Sequence, residues 1–327
     1  MNKKPQVSVI LPVYNGAQFV GEAIQSIATQ TFQDWELIAI DDGSRDNSWA
    51  VLQNWQKRDS RIRLAQNPRN MGLAATMNRL VALAEGQYIA VQEQDDVSAA
   101  DRLESEVALL NARADIALVS GVAEWLNEDL QPFDHFPGFL YRGGQYPQDS
   151  EELFEFLYVE QCKILNAGCL FRRDILATWN PLFNEQARMS IDWEFFLRLS
   201  RFAKVWGLNQ VVVKMRRGFI HGSLSSQRQL QYAEARRCLN ALRREFRSGP
   251  TPRVTFQLWR KAMAMELAIE ARAVAGQVVG IRLLAMALAY DPANQLAWQT
   301  VREWSLKATK RLLPATHLGV PAQAEKS

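Results

Sequence analysis

Three carboxylates, Glu93, Asp95 and Asp96, fall within four positions at the end of an apolar run, YIAVQEQDDVS from Tyr88 to Ser98. Like charges this close repel. A divalent cation relieves the repulsion, because clustered carboxylate oxygens are the hard ligands that Mg²⁺ or Mn²⁺ prefers. A plainer reading is an acidic turn capping the helix that begins near Asp101, and for an isolated pair of aspartates that reading would be the better one. These acids are not isolated. A second apolar run, Glu36 to Ile40, ends in Asp41-Asp42-Gly43-Ser44, and the first, Val7 to Leu11, ends in the turn Pro12-Val13-Tyr14-Asn15-Gly16.

The elements that position these residues follow from the pattern. Each run is about five residues long and largely apolar, as for strands buried on both faces of a parallel sheet. Between them lie helically spaced apolar sets: Val20, Ala23, Ile24 and Ile27; Trp49, Leu52 and Trp55; Leu73, Met77, Leu80 and Leu83. Alternating strands and helices make βαβ units with right-handed crossovers, so the acidic strand ends converge on one edge of the sheet. That edge is where open α/β sheets bind ligands.

The segments VSVILPVYNGAQFVGEAIQSIATQTFQDWELIAIDDGSRDNS and NMGLAATMNRLVALAEGQYIAVQEQDDVSAADRLESE together resemble the nucleotide-binding half of the family 2 inverting glycosyltransferases of GT-A fold. The resemblance covers roughly the first 110 residues, with several motifs in the family's order, and continues more weakly to about Ser226. It implies that Pro12, Tyr14 and Asn15 line a nucleoside pocket and that Asp42 accepts a hydrogen bond from the base. It also implies that the later acids hold a metal, Mg²⁺ or Mn²⁺, on the diphosphate of a nucleoside-diphosphate sugar, a UDP-sugar by expectation. The family writes that motif D-x-D-D, whereas this chain has Glu93-Gln94-Asp95-Asp96. The extra methylene displaces the first carboxylate, so Asp96 and Asp95 are stronger candidates than Glu93 for metal and sugar-phosphate ligands. Asn70-Met71-Gly72-Leu73 matches the family's N-x-G-L turn, where Gly72 allows close backbone approach, although a simple loop glycine reads equally well.

In the second half, Asn166 to Ile175, NAGCLFRRDI, resembles the acceptor-side strand, and Ser190 to Ser200, SIDWEFFLRLS, resembles the helix that presents the catalytic carboxylate. Ile191 replaces the usual first acid, so the resemblance makes Asp192 the general base. Glu194 is the rival, but two positions along a helix it points about 160° away from Asp192. Asp192 also reads as a first-turn acid favoured by the helix dipole, a role compatible with catalysis. Met215 to Ser226, MRRGFIHGSLSS, resembles a basic loop over the donor phosphates, with Arg216, Arg217 and His221 as candidate pyrophosphate or metal contacts. His221 in a Gly/Ser loop reads more readily as solvated than as a ligand.

Composition agrees with a soluble enzyme. There are 38 Lys+Arg against 35 Asp+Glu, a formal charge of +3, which gives no ground for a nucleic-acid partner. Asn2-Lys3-Lys4-Pro5 leads directly into the first strand, unlike a signal peptide. Cys162, Cys169 and Cys238 lack metal spacing and are odd in number, so free thiols in a reducing cytoplasm are expected. Beyond Gln227 the strands stop, and Tyr232 to Phe246, Val254 to Val274, Val278 to Ala289 and Ala293 to Leu313 read as helices. Their arginines, Arg236, Arg237, Arg243, Arg244, Arg247, Arg253 and Arg260, suit an ordinary solvated appendage, or less readily a peripheral surface at the inner face of a membrane carrying lipid-linked acceptors.

The expected architecture is an α/β GT-A (nucleotide-diphospho-sugar transferase) sandwich with a mostly parallel central sheet at residues 1–226, a helical C-terminal extension at 227–313, and a disordered tail at 314–327. The expected activity is metal-dependent hexosyl-type transfer with inversion to a hydroxyl of a glycan or lipid-linked acceptor. A non-catalytic nucleotide-sugar-binding protein is the alternative that Glu93 and Ile191 keep open. A nucleotidyltransferase is less favoured, since the chain shows no basic Gly-rich triphosphate loop.

Overall fold

The computed structural model describes residues 4–216, 228–248, 252–274 and 278–312. The three apolar runs form strands β1 (Val7–Val13), β2 (Trp35–Asp41) and, after a further strand β3 (Ile62–Gln66), β4 (Tyr88–Val91). Helices α1 (Val20–Ala28), α2 (Ser48–Arg58) and α3 (Leu73–Leu83) are the crossovers between them. The order β3-β2-β1-β4 is parallel throughout, so the β1, β2 and β4 carboxyl ends share one edge as expected. Pro12 fits because it lies past Ile10, the last β1 residue paired with β4, where no ladder bond from its nitrogen is needed.

The rest of the sheet departs from the parallel pattern. A two-residue strand β5 (Val97–Ser98) and helix α4 (Arg102–Ala112) lead into a long β6 (Ile116–Leu126), which turns back as β7 (Pro132–Phe136). Two short helices, α5 (Gly138–Tyr141) and α6 (Ser150–Val159), precede β8 (Cys169–Arg172), then α7 (Ile191–Ser200) and β9 (Lys204–Arg216). Strand β8 is antiparallel to both β4 and β6, β9 is parallel to β6, and β5 is antiparallel to β9. This mixed half carries the second part of the site.

Burial explains why the first half is legible. Val9, Leu11, Leu37, Ala39 and Ala90 pack with Ile24, Ile27, Leu103 and Val107 in one cluster. Burying each larger aliphatic chain is worth about 1.5–3 kcal/mol, so the apolar register of β1, β2 and β4 fixes which residues remain at their ends.

The compact unit containing the sheet runs through Trp259, and a second begins at Arg260. The composition shift near residue 226 therefore precedes the structural division. The intervening helix α8 (Arg228–Glu245) buries Leu239 and Leu242, receives a hydrogen bond on the Leu239 carbonyl from Tyr158 Oη at 2.7 Å, and pairs Glu245 with Arg198 at 2.6 Å. It belongs with the sheet unit. Helix α9 (Phe256–Ala273) crosses the division, and α10 (Val278–Tyr290) and α11 (Gln295–Leu312) follow. Leu267, Ala271, Leu284, Ala287 and Ala297 form the core of the second unit. Among the described residues no helix is long and apolar enough to cross a membrane.

Candidate functional site

The acidic loop between β4 and β5 is held from below by a buried arginine. Arg102, fully buried, donates from Nη2 to the Val91 carbonyl at 2.9 Å and from Nη1 to Ser98 Oγ at 2.9 Å, and pairs with Glu106 at 3.3 Å. Ser98 Oγ in turn donates to Gln92 Oε1 at 2.7 Å, and Gln92 Nε2 donates to the carbonyls of Glu93 at 3.0 Å and Asp96 at 2.8 Å. The side chain of Gln92 thus fixes the backbone on both sides of the acidic turn.

Above this brace, one ligand oxygen each from Glu93, Asp95 and Asp96 lie within 4.8 Å of one another. Glu93 Oε1 accepts from Asn166 Nδ2 at 2.9 Å, and the Asp95 carbonyl accepts from Arg216 Nη1 at 2.9 Å. Asp96 is 2% exposed, yet its Oδ2 accepts no hydrogen bond from any described residue. An orphaned buried carboxylate oxygen is costly, and beside two more acids it fits a hard divalent cation.

Burial, with the Asp95 and Asp192 charges, pushes Glu93 up to about 7 against the moderating Asn166 bond. Burial likewise raises Asp96 well above the usual carboxylate range, with Glu93 and Asp95 adding to it and Arg216 and Arg102 opposing, while burial raises Asp95. Between the ordinary 4.5 and about 7 the folded chain keeps a proton on Glu93 that the unfolded chain has lost. Stability of the metal-free protein therefore falls as pH rises through that window. Glu93→Gln should melt like the wild type near pH 4, melt higher than the wild type at about pH 8 in chelator, and gain less from added Mn²⁺. Scanning calorimetry with and without Mn²⁺ checks this; equal melting at the upper pH would show that Glu93 carries no buried charge there.

The two neighbouring turns are laced to each other. Gln94 Oε1 accepts from Tyr14 N at 2.9 Å, Asn15 N donates to Ser44 Oγ at 2.9 Å, and Asn15 Oδ1 accepts from Arg45 N at 2.9 Å. Tyr14 and Asn15 are exposed at this edge and Pro12 lies half-buried behind them. Gly43 is obligatory: its φ is +71°, and a Cβ would lie 2.6 Å from the Arg69 carbonyl carbon.

Asp42 is only 4% exposed and already engaged: Oδ1 accepts from Asn67 Nδ2 at 2.7 Å and Met71 N at 2.8 Å, and Oδ2 from Gly72 N at 3.0 Å. It holds the Asn70–Gly72 turn in place, with Gly72 at φ +89° capping α3. Of roughly four acceptor positions on a carboxylate, those three donors leave one for a base. Asp42→Ala is expected to cost at least about 1 kcal/mol in chemical denaturation, from donors left unpaired, with nucleotide affinity falling as the turn loosens. Lost affinity at full stability would instead assign the carboxylate to the base alone.

From the mixed half of the sheet, α7 brings Asp192 to the same edge. Its charge is felt at Glu93, and burial raises its own pKa against the opposing Trp193 N–H and the Cys162 thiol. Cys162 Sγ lies 3.5 Å from Asp192 Oδ2. Burial and the Asp192 charge keep Cys162 a thiol, a donor. Ser190, at φ +58°, turns the chain into the helix without a side-chain cap.

Glu194 faces elsewhere. It is 7% exposed and accepts from Arg198 Nη2 at 2.8 Å and Asn184 Nδ2 at 3.0 Å, while Arg198 also pairs with Glu245. Trp193 is core, its Nε1 donating to the Leu157 carbonyl at 2.8 Å. Arg216 contacts the Asp95 backbone and pairs with Glu22, so it braces the acidic loop. Arg217, Gly218, His221 and Gly222 lie outside the described residues.

Sequence reasoning missed Cys162, Gln92, Gln94 and Arg102 as parts of this arrangement. Only Arg102 carried a signal, a cation placed six residues beyond an acidic cluster; the Gln94 and Cys162 contacts cross 80 and 30 positions, and the local Gln92 amide bonds depend on the turn geometry, so neither leaves one.

The parallel half of the sheet carries two laced turns and an acid triad at its carboxyl edge, the place where open α/β sheets bind ligands. Residues 8–177 match the family described as glycosyl transferase family 2, and the chain belongs to that family. EpsE of Bacillus subtilis (strain 168), named as a glycosyltransferase, is 43% identical over 111 residues, 34% of this chain and 40% of its own length. Hyaluronan synthase of Pasteurella multocida is 26% identical over 232 residues, 70% of this chain and 22% of the synthase. The matched parts thus span less than half of either relative. Among solved structures, TarS 1-349 of S. aureus in complex with UDP-GlcNAc superposes with a TM-score of 0.65 at 16% identity, covering 87% of this chain and 81% of TarS. The mannosyltransferase PcManGT of Pyrobaculum calidifontis, in complex with GDP-Man and Mn²⁺, gives 0.54 at 17% identity, covering 97% and 89%. At such identities the likeness speaks for the fold, which is GT-A.

Proposed function

We propose that this chain is an inverting glycosyltransferase that moves a hexosyl group from a UDP-sugar to a hydroxyl acceptor in glycan or polysaccharide synthesis. The observation that carries the reading is the meeting of Asp192 with the Glu93-Asp95-Asp96 triad, one of whose buried oxygens has no partner among the described residues. Family membership supports the transfer, and the UDP-GlcNAc held by TarS supports the donor class.

In this reading Tyr14, Asn15 and Pro12 flank the nucleoside, with Asp42 and Gly72 setting the turn beside it. Asp96 and Asp95, with Glu93, would hold Mg²⁺ or Mn²⁺, which supplies positive charge to the departing diphosphate. Asp192 takes the proton from the acceptor hydroxyl as its oxygen bonds to the anomeric carbon and the bond to the diphosphate oxygen breaks on the opposite face. One base suffices for such a displacement, and burial raises Asp192 above its ordinary value, which makes it a stronger base than an exposed carboxylate. The Cys162 thiol orients the carboxylate. Arg217 is assigned to the pyrophosphate by its place in the basic loop. The three thiols are free, which suits a reducing cytoplasm, and the arginine-rich α8 suits peripheral contact with the inner face of a membrane.

A screen of nucleotide sugars for metal-dependent nucleoside-diphosphate release tests donor, cofactor and activity together. Release of UDP only with Mg²⁺ or Mn²⁺ present is the expected result. Binding of a donor without turnover, whatever hydroxyl acceptor is added, would make the chain a nucleotide-sugar-binding protein instead.

A further inference from the structure

We propose that the aromatic face of the β6–β7 hairpin is a platform for the saccharide acceptor, with Phe133 and Trp125 meeting the apolar faces of its rings. This rests on the glycosyltransferase reading of the acid cluster.

Position comes first. Strand β6 pairs with β8 only as far as Ser120, opposite Cys169, and then continues to Leu126 between β7 and β9. That extension runs about 20 Å at ~3.3 Å per residue, projecting past the same sheet edge that bears the acids. Two short links tie its aromatic face to the site. Trp125 and Phe136 pack in one cluster with Met215 and Leu165. Met215 precedes Arg216, which donates to the Asp95 carbonyl at 2.9 Å, and Leu165 precedes Asn166, which donates to Glu93 Oε1 at 2.9 Å.

Chemistry comes second. Trp125 stacks on Phe136 at 5.8 Å and 6°, and meets Phe133 at 6.2 Å and 41°. Phe133 is 56% exposed, although a ring of this size gains most by burial. Nearby, Tyr141 is 49% exposed and stacked on His135 at 3.7 Å. Along β7 the hydrogen-bonding side chains of Asp134 and His135 lie between the rings of Phe133 and Phe136, and Glu124 and Lys214 pair at 3.8 Å alongside. A lipid face would call for continuous apolar surface, and the hairpin's place on the edge that bears the acids favours a saccharide over a protein partner. A sugar presents an apolar C–H face and a rim of hydroxyls, which matches rings flanked by carboxylates and amines. The hairpin thereby lies on the edge where Arg216 and Asn166 meet the acid cluster, within reach of an acceptor bound there.

The test titrates the full chain with UDP and Mn²⁺, and separately with chitohexaose, cellohexaose and a hyaluronan decasaccharide, following binding by saturation-transfer NMR and calorimetry. At least one oligosaccharide should bind the wild type, Phe133→Ala should weaken that binding about threefold to tenfold, and Phe133→Tyr should restore it. UDP affinity should be the same in all three proteins. Because Phe133 is exposed, the variant is expected to fold, and its melting temperature confirms it. No oligosaccharide binding to the wild type, or undiminished binding to Phe133→Ala, overturns the platform. Failure of UDP to bind the wild type counts against the glycosyltransferase reading, while the oligosaccharide titration still decides the platform by itself.

Discussion

Asp192→Asn is expected to lower transfer by about 10²–10⁴-fold, the range for loss of a general base, with UDP affinity unchanged and melting at or above the wild type at neutral pH, since a charge that burial disfavours is gone. The amide keeps the volume and an oxygen that can accept from the Trp193 N–H, the donor that opposes the raised pKa of Asp192. It cannot take a proton. Glu194→Gln is the control, because the Glu194 carboxylate is already bound by Arg198 and Asn184. Its neutralisation weakens a largely buried ion pair, so its effect should appear in stability, with the transfer rate per folded molecule retained. Transfer rates, UDP calorimetry and thermal melting on both variants make the comparison. Near-normal transfer by Asp192→Asn, with loss in Glu194→Gln, would move the base to Glu194.

The sequence and the structure agree best where one physical signal dominates. Strands β1, β2 and β4 are buried on both faces, so their apolar runs are unbroken and the acids at their ends stand out. Strand β3 has the sequence IRLAQ and a half-exposed pattern, and a run containing a charge on the edge of the sheet gives little to read. The β6–β7 hairpin and β9 were hidden for a different reason. Strand β6 is buried almost throughout while β7 is largely exposed and β9 irregular, so they share no one pattern, and their partners are set by antiparallel and long-range pairing that no local period reports. The C-terminal helices were legible as helical segments beyond the last strand, but composition could not tell that α8 packs on the sheet unit, because that depends on contacts such as Arg198 with Glu245.

The site divides in the same way. Carboxylates clustered in sequence were visible, and so was Asp192 through the resemblance of its helix. What each carboxylate touches was not. Asp42 shows the difference: its place in the DDGS turn suggested a base ligand, whereas its oxygens accept from Asn67, Met71 and Gly72. Those donors lie 25 to 30 positions away in sequence, so nothing in the local spacing separates that duty from ligand binding. Gln92 and Arg102 belong to the same class, since their role lies in which carbonyls they hold.

Asp96→Asn should remove the metal dependence of UDP binding and with it nearly all transfer. The substitution keeps the shape and removes a charged oxygen ligand. Outer-shell partners of a metal are already worth about 10–100-fold in affinity or activity, so a direct ligand should exceed that range. Stability should move the opposite way. Asp96 is buried with an orphaned oxygen and a strongly raised pKa caused by burial, Glu93 and Asp95. The metal-free variant should therefore melt at or above the wild type at neutral pH, since a charge that burial disfavours is gone. Glu93→Asp, which shortens the side chain to the family's usual residue, should retain Mn²⁺-dependent activity. Calorimetry of UDP with and without Mn²⁺, beside melting curves in chelator, separates loss of a ligand from loss of the fold. Full metal-dependent transfer by Asp96→Asn would mean that the triad is an acidic turn and that any cation is held by other residues.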